Sequence, residues 1–256
     1  MALQRYFLEL MYKGTEYSGF QVQKNVPTTV QEAVEKAFVV LQKQTVVLTG
    51  SSRTDAGVHA RQNFFHFDFD GLLNEHFRYK INAILPKDIV IKNVYAVPAD
   101  AHCRFDAIAR SYKYYIYRSK NPFLADRAYF FPYVLDLEKM QQAAEVIKGY
   151  SDFTSFSKRN TQVKTFLCSI AESEWKQEDD MLVYCVKANR FLRGMVRGLT
   201  GTMLQVGRNK ISIEQFKQAV EAKDCSKADF AVPGHGLFLE EVIYPESYLP
   251  APLALR

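Results

Sequence analysis

Residues 5–12 alternate, with Tyr6, Leu8, Leu10 and Tyr12 on one face and Glu9 on the other, which predicts a half-buried strand. Gly14 and Gly19 then punctuate a loop. Thr29 followed three residues on by Glu32 has the form of a capping box, and Val30, Ala33, Val34, Ala37, Phe38 and Leu41 continue at helical spacing. The short apolar run at 46–48 predicts a strand entering Thr49-Gly50. Residues 62–69 alternate again, Phe65, Phe67 and Phe69 against Phe64, His66 and Asp68. Leu72, Leu73, Phe77, Ile81 and Leu85 predict a helix that stops at Pro86, and 89–97 reads as a further strand.

The second half repeats this order. A strand is predicted over 112–117. Asp136 caps a helix carrying Leu137, Met140, Ala144 and Ile147, which ends at Gly149. Strands follow near 167–176 and 182–188. A helix with Leu192, Met195, Val196, Leu199, Met203 and Val206 comes next, then a short one around 216–220, then a strand over 237–242. The order β-α-β-β-α-β thus occurs twice, which is the split βαβ, ferredoxin-like pattern. The expected class is α+β: two ferredoxin-like halves, 1–104 and 105–256, with the boundary in the region 99–110 after Pro98. Joining the halves around a central mixed or antiparallel sheet would remove their unpaired edges and form a cleft, although two independent domains satisfy the same pattern.

Composition narrows the class further. The chain has 256 residues, 48% of them apolar, enough for a sizeable core. No apolar run is long enough to span a membrane, and no signal-like segment is apparent at the N-terminus, so a cytoplasmic protein is expected. The cysteines Cys103, Cys168, Cys185 and Cys225 are widely spaced and fit reduced, mostly buried thiols. The histidines show no metal-ligand spacing, so no metal is expected. The net charge of +5 says little by itself. Its distribution says more: Arg104, Arg110, Lys113, Arg118 and Lys120 crowd one segment and Arg190, Arg193, Arg197, Arg208 and Lys210 another. Tyr112, Tyr114, Tyr115 and Tyr117 interleave with the first cluster. Basic groups neutralise phosphates and aromatics stack on bases, so RNA binding is compatible with this mixture, as is a strand with a solvated basic face.

The loop Ser51-Ser52-Arg53-Thr54-Asp55-Ala56-Gly57-Val58-His59-Ala60 is small and polar between two apolar strands. An Asp-x-Gly can be a simple turn, with glycine supplying a positive φ. Here Arg53 precedes the acid by two residues and His59 follows it by four, as if to present a carboxylate. The string from Arg53 to Ala60, with Gln62, resembles the signature loop of the TruA family of tRNA pseudouridine synthases. Tyr12-Lys13-Gly14-Thr15 with Tyr17-Ser18-Gly19-Phe20-Gln21 resembles the family's opening strand and loop, and Val30-Gln31-Glu32-Ala33 its first helix. His102, Arg104-Phe105 and Ala109-Arg110-Ser111-Tyr112-Lys113-Tyr114 resemble its mid-chain motif, and Asp152-Phe153-Thr154-Ser155-Phe156 a later one. Ala188-Asn189-Arg190-Phe191-Leu192 with Met195-Val196-Arg197 resembles the helix bearing the active-site arginine. Pro233 with His235-Gly236-Leu237 resembles the closing motif.

This resemblance implies an isomerase that converts uridine to pseudouridine at tRNA positions 38, 39 and/or 40. It implies catalytic roles for Asp55, Tyr112 and Arg197. Asp55 would be the essential carboxylate, acting as nucleophile at C6 or C1′ or as a base at C2′. Arg197 would pair with Asp55, and Tyr112 would stack on the uracil, though Tyr114 shares its strand face. Arg53 would engage the flipped nucleotide or fill its place in the stack; Arg110, Arg190 and Arg193 would contact RNA; His59 would hold the loop or contact RNA. On a helical wheel Arg190, Arg193 and Arg197 group together, and Gly194, Gly198 and Gly201 line another face suited to close packing. No cofactor is expected, since an isomerisation has no group donor. A homodimer and a tRNA partner are implied as well. The segment from Thr161 to Ile170 departs from the family's string, with Cys168 where a basic residue is common, which puts an RNA contact there in doubt. A non-catalytic tRNA-binding module on the same scaffold would have no need of the acid. A small-molecule enzyme on a ferredoxin-like fold would show no salt-dependent tRNA affinity.

Overall fold

The computed structural model describes residues 3–23, 26, 28–159 and 163–255. Among them are nine strands and five α-helices, and the class is α+β as expected. The chain divides into two compact units, Met1–Ile108 with Leu239–Arg256, and Ala109–Phe238.

The first unit is built from β1 (Leu3–Tyr12), α1 (Val30–Gln42), β2 (Thr49–Gly50), β3 (His59–Asp70), α2 (Phe77–Ile84) and β4 (Ile89–Val97). Strand β1 lies between β4 and β3, antiparallel to both, and β2 lies along β3. Thr29 caps α1 by accepting a hydrogen bond from the Glu32 amide. The strand expected to begin at 46 is confined to Thr49 and Gly50, because side chains of α1 take up the preceding backbone: Glu35 accepts from the Leu48 amide and Gln31 donates to the Leu48 carbonyl. Helix α2 begins at Phe77 rather than Leu72, whose side chain is exposed.

Strand β1 was expected to be half-buried, but both of its faces are covered. On one, Phe38 of α1 packs edge-on against Phe67 at 5.0 Å, and Phe20 stacks on Phe65 at 4.5 Å. On the other, Tyr244 packs against Phe7 and Phe64, and Tyr248 against Phe7. Glu9 is consequently buried, with its carboxylate accepting from Gln62, Asn93 and Tyr95 and paired with Lys92. This cover is why residues 239–256 lie with the first unit, although the sequence pattern places them in the second half. Hydrogen bonds reinforce it: Tyr244 donates to the Cys103 carbonyl, the Leu253 amide to the Val94 carbonyl, and Tyr248 to Asp106.

The second unit contains β5 (Ala109–Tyr117), β6 (Tyr129–Phe130), α3 (Leu137–Val146), β7 (Ile170–Glu178), β8 (Met181–Ala188), α4 (Met195–Gly207) and α5 (Ile213–Glu221). Strand β8 is antiparallel to β5 and β7, and the short β6 runs parallel to β5. Asp136 caps α3 as expected. A full capping box of Ser212 and Gln215 starts α5. The strand β9 (Leu237–Ile243) carries the chain from this unit back into the first.

Candidate active site

The loop bearing Asp55 is fixed from below by buried polar groups. Asn63, on β3 and fully buried, donates to the Ser52 carbonyl (2.9 Å) and accepts from the Ser52 amide (3.2 Å). Its amide also reaches the Tyr12 hydroxyl, which is 2.8 Å from the Thr54 hydroxyl. Asn63 was not singled out from sequence; an asparagine inside an otherwise apolar strand was the available signal, since a buried amide needs partners. His59 is 1% exposed and accepts the Gly14 amide at 3.0 Å.

From the side, the segment 14–20 braces the same loop. The Phe20 amide donates to the Thr54 carbonyl and the Gly57 amide to the Tyr17 carbonyl. A Cβ at Gly14 would stand 2.0 Å from the Val58 carbonyl oxygen, so only glycine admits this approach. Within the loop, Val58 donates to the Asp55 carbonyl across a turn, and Gly57 has φ +76°. Asp55 is half-buried and Arg53 exposed. Arg53 lines a polar cavity of about 290 Å³ together with Gln21, Gln31, His102, Arg104 and Phe105.

Burial also separates two tyrosines that the sequence could not. Tyr114 is fully buried; its hydroxyl donates to the Pro233 carbonyl at 2.8 Å, and burial pushes its pKa up. Its ring is so close to Gly236 that a Cβ there would lie 2.7 Å from it. Tyr112 is half-buried and meets Phe191 edge-on at 5.0 Å. Tyr112 is therefore only partly buried, whereas Tyr114 is part of the core.

Helix α4 starts at Met195, not at Leu192. Gly194 at φ +76° breaks the path, so Arg190 and Arg193 lie in the preceding loop and the expected wheel grouping with Arg197 does not apply. That loop has its own supports: Asn189 accepts from the amides of Ser169 and Arg190, and Lys158 donates its amide to the Arg193 carbonyl. Arg110 reaches the Asn189 carbonyl at 3.4 Å. The expected close packing does occur at Gly198 and Gly201, where a Cβ would meet Phe230 at 2.8 Å and the Asp229 carbonyl at 2.1 Å. The segment so admitted orients Arg197, whose guanidinium donates to the Val232 carbonyl at 2.8 Å and approaches the Phe230 carbonyl at 3.5 Å.

Other expected contributors have different surroundings. Lys113 is paired with Glu178 at 2.8 Å, so it does not stand as an isolated charge. Cys168 is a core residue, its thiol pushed up to about 11 by burial. Thr161 and Gln162 of the departing segment lie outside the described residues. None of the four cysteines is in a disulfide, and two of them are buried. Histidine spacing gave no sign of ligands, yet the fold gathers donor atoms of His66, His102 and Cys103 within 4.8 Å of one another. Burial holds His66 down to about 4, neutral at ordinary pH. No described helix is long and apolar enough to cross a membrane.

Comparison with known proteins adds to this geometry. The family model described as tRNA pseudouridine synthase matches residues 10–106 and 143–245. A curated tRNA pseudouridine synthase A of Parabacteroides distasonis is 45% identical over 97% of this chain and 99% of its own. That of Bacteroides fragilis is 45% identical over 96% and 98%, and one from Staphylococcus aureus is 36% identical over 96% and 94%.

Proposed function

The chain belongs to the tRNA pseudouridine synthase family and is an isomerase of uridine in tRNA, and from that premise we propose that it acts at positions 38, 39 and 40 of the anticodon arm with Asp55 as its essential carboxylate. The reaction breaks the bond from ribose C1′ to uracil N1, turns the base, and joins C1′ to C5. N1 gains a proton and C5 loses one, so no cofactor or redox partner is required. Asp55 acts as nucleophile or base, Arg197 pairs with it, and Tyr112 stacks on the uracil and assists proton removal at C5. Arg53 engages the displaced nucleotide, while Arg110, Arg190 and Arg193 contact phosphates. These contacts offset the few kcal/mol needed to draw a base from its stack. A homodimer working in the cytoplasm on one tRNA across both copies completes the proposal.

The observation that carries this reading is the support given to the Asp55 loop. A carboxylate on a turn that merely reverses the chain needs no buried Asn63, no Tyr12–Thr54 contact and no glycine approach at Gly14. Preorganised side chains are what catalysis demands of a loop. The Tyr112 assignment is favoured by its partial exposure, since Tyr114 is buried and committed to Pro233.

The test uses unmodified tRNA incubated with the wild-type protein and with Asp55→Ala, followed by carbodiimide treatment and primer extension. Stops one nucleotide before the anticodon-arm uridines are expected for wild type alone. Stops elsewhere in the tRNA would overturn the positions, and stops that persist in Asp55→Ala would overturn the role of Asp55.

A further inference from the structure

We propose that His66, His102 and Cys103 form a binding site for a zinc-type divalent ion in the first unit, beside the cavity that Arg53 lines and without a catalytic part in base isomerisation. The donor atoms of the three side chains lie within 4.8 Å of one another, with Cys103 and His66 buried. His66 Nδ1 is 3.3 Å from Cys103 Sγ. Zinc bonds of about 2.3 Å to sulfur and about 2.0–2.1 Å to nitrogen, set at tetrahedral angles, place such donors roughly 3.5 Å apart. The rings of His66 and His102 meet edge-on with centroids 4.5 Å apart. Two imidazoles and a thiol form a donor set of the softness that selects zinc over magnesium or calcium.

The surroundings fit a cation. The Nδ1 atoms of both rings accept backbone N–H groups: that of Cys103 for His66, and those of Arg104 and Phe105 for His102. Nδ1 is thus the unprotonated nitrogen of each ring, and a bound ion would take its lone pair in place of these N–H contacts, which are long at 3.1–3.4 Å. The Cys103 thiol donates to the Thr49 carbonyl at 3.2 Å, and metal binding would release that proton to solvent. The resulting thiolate, with Asp106 bonded to the His102 amide, would balance a divalent charge; nearby Arg5 is already neutralised by two hydrogen bonds to Asp68. Three protein ligands leave a fourth position for water, and His102 lines the cavity from which water would enter. A bound ion would tie β3, through His66, to the turn that follows β4.

The experiment takes the full chain with no histidine tag, loads it with zinc and removes excess, then measures metal content. Cobalt(II) in place of zinc gives a spectroscopic check, since thiolate ligation produces charge transfer in the near ultraviolet and strong bands in the red. About one zinc per chain is expected for wild type and for the control Cys225→Ser. Cys103→Ser and His102→Asn should each lose the cobalt charge-transfer band or weaken zinc binding at least about tenfold. Zinc should raise the unfolding midpoint of wild type and not of either variant. Zinc well below one per chain in wild type, or a cobalt spectrum unchanged by Cys103→Ser, would overturn the proposal. Should Cys103→Ser fail to fold, the half-buried His102→Asn decides the question by the same readouts. None of these depends on pseudouridine formation, so this proposal and the functional one fail separately.

Discussion

The Asp55 loop of the first unit and the start of α4 in the second solve one problem in two ways. Each must hold a side chain that the chain's own local structure leaves loose. In the first unit the support is polar: Asn63 bonds the Ser52 backbone, Tyr12 meets the Thr54 hydroxyl, His59 accepts the Gly14 amide, and Gly14 lets the neighbouring segment come close. Asp55 itself stays half-buried. In the second unit the support is steric: Gly198 and Gly201 admit the segment 229–232 against the helix, and carbonyls of that segment fix the Arg197 guanidinium directly. A loop with no helix to lean on needs a buried hydrogen-bond network. A helix is already rigid and needs only a bare patch on its surface.

The two glycines give the largest expected effects and break the comparison most directly. Gly14→Ala must displace Val58, and a shift on the order of 1 Å near reacting groups costs about 10²-fold in rate. Gly201→Ala lies in a buried helix, where overpacking costs about 1–3 kcal/mol of stability. Single-turnover rates and thermal midpoints of the two variants should therefore diverge, turnover falling further in the first and the midpoint further in the second. Wild-type turnover in Gly14→Ala would show that this contact does not set the loop.

The tyrosines sharpen the contrast at intermediate size. Tyr112→Phe is expected to lower turnover by about 10²-fold with the unfolding midpoint unchanged. Tyr114→Phe strands the Pro233 carbonyl and should cost about 1–3 kcal/mol of stability, with turnover of the folded fraction retained. The reverse pattern would transfer the role in proton removal at C5 to Tyr114.

The smallest effect concerns Glu9. Burial alone would raise its pKa, but hydrogen bonds from Asn93, Gln62 and Tyr95 and the charge of Lys92 outweigh that and leave it below the ordinary value of 4.5. A depressed folded-state pKa gives stability that is present above the unfolded value and lost as pH falls through the folded one. Urea midpoints taken near neutrality and below pH 4.5 should show a drop in wild type that is shallower in Glu9→Gln. Equal drops would remove Glu9 from the acid limb.

The helix caps and the loop that carries Asp55 were legible from the chain alone because their signals are local. Thr29 and Asp136 cap helices through contacts three residues away, and the loop from Arg53 to Gly57 is contiguous. The start of α4 was misplaced because apolar spacing continues through Leu192, while the break depends on the backbone at Gly194. Residues 239–256 were assigned to the wrong neighbours because strand order does not say what covers the second face of β1 and β3.

The sequence by itself determined the α+β class, the twice-repeated order of elements and the motifs that mark the family, since periodicity, caps and motif strings act over a few residues. Only the tertiary structure decided that Tyr114 is core while Tyr112 is only partly buried, that Asn63 anchors the Asp55 loop, and that His66, His102 and Cys103 meet. Each of these turns on burial or on contact between residues far apart in the chain, and neither can be read from spacing along it.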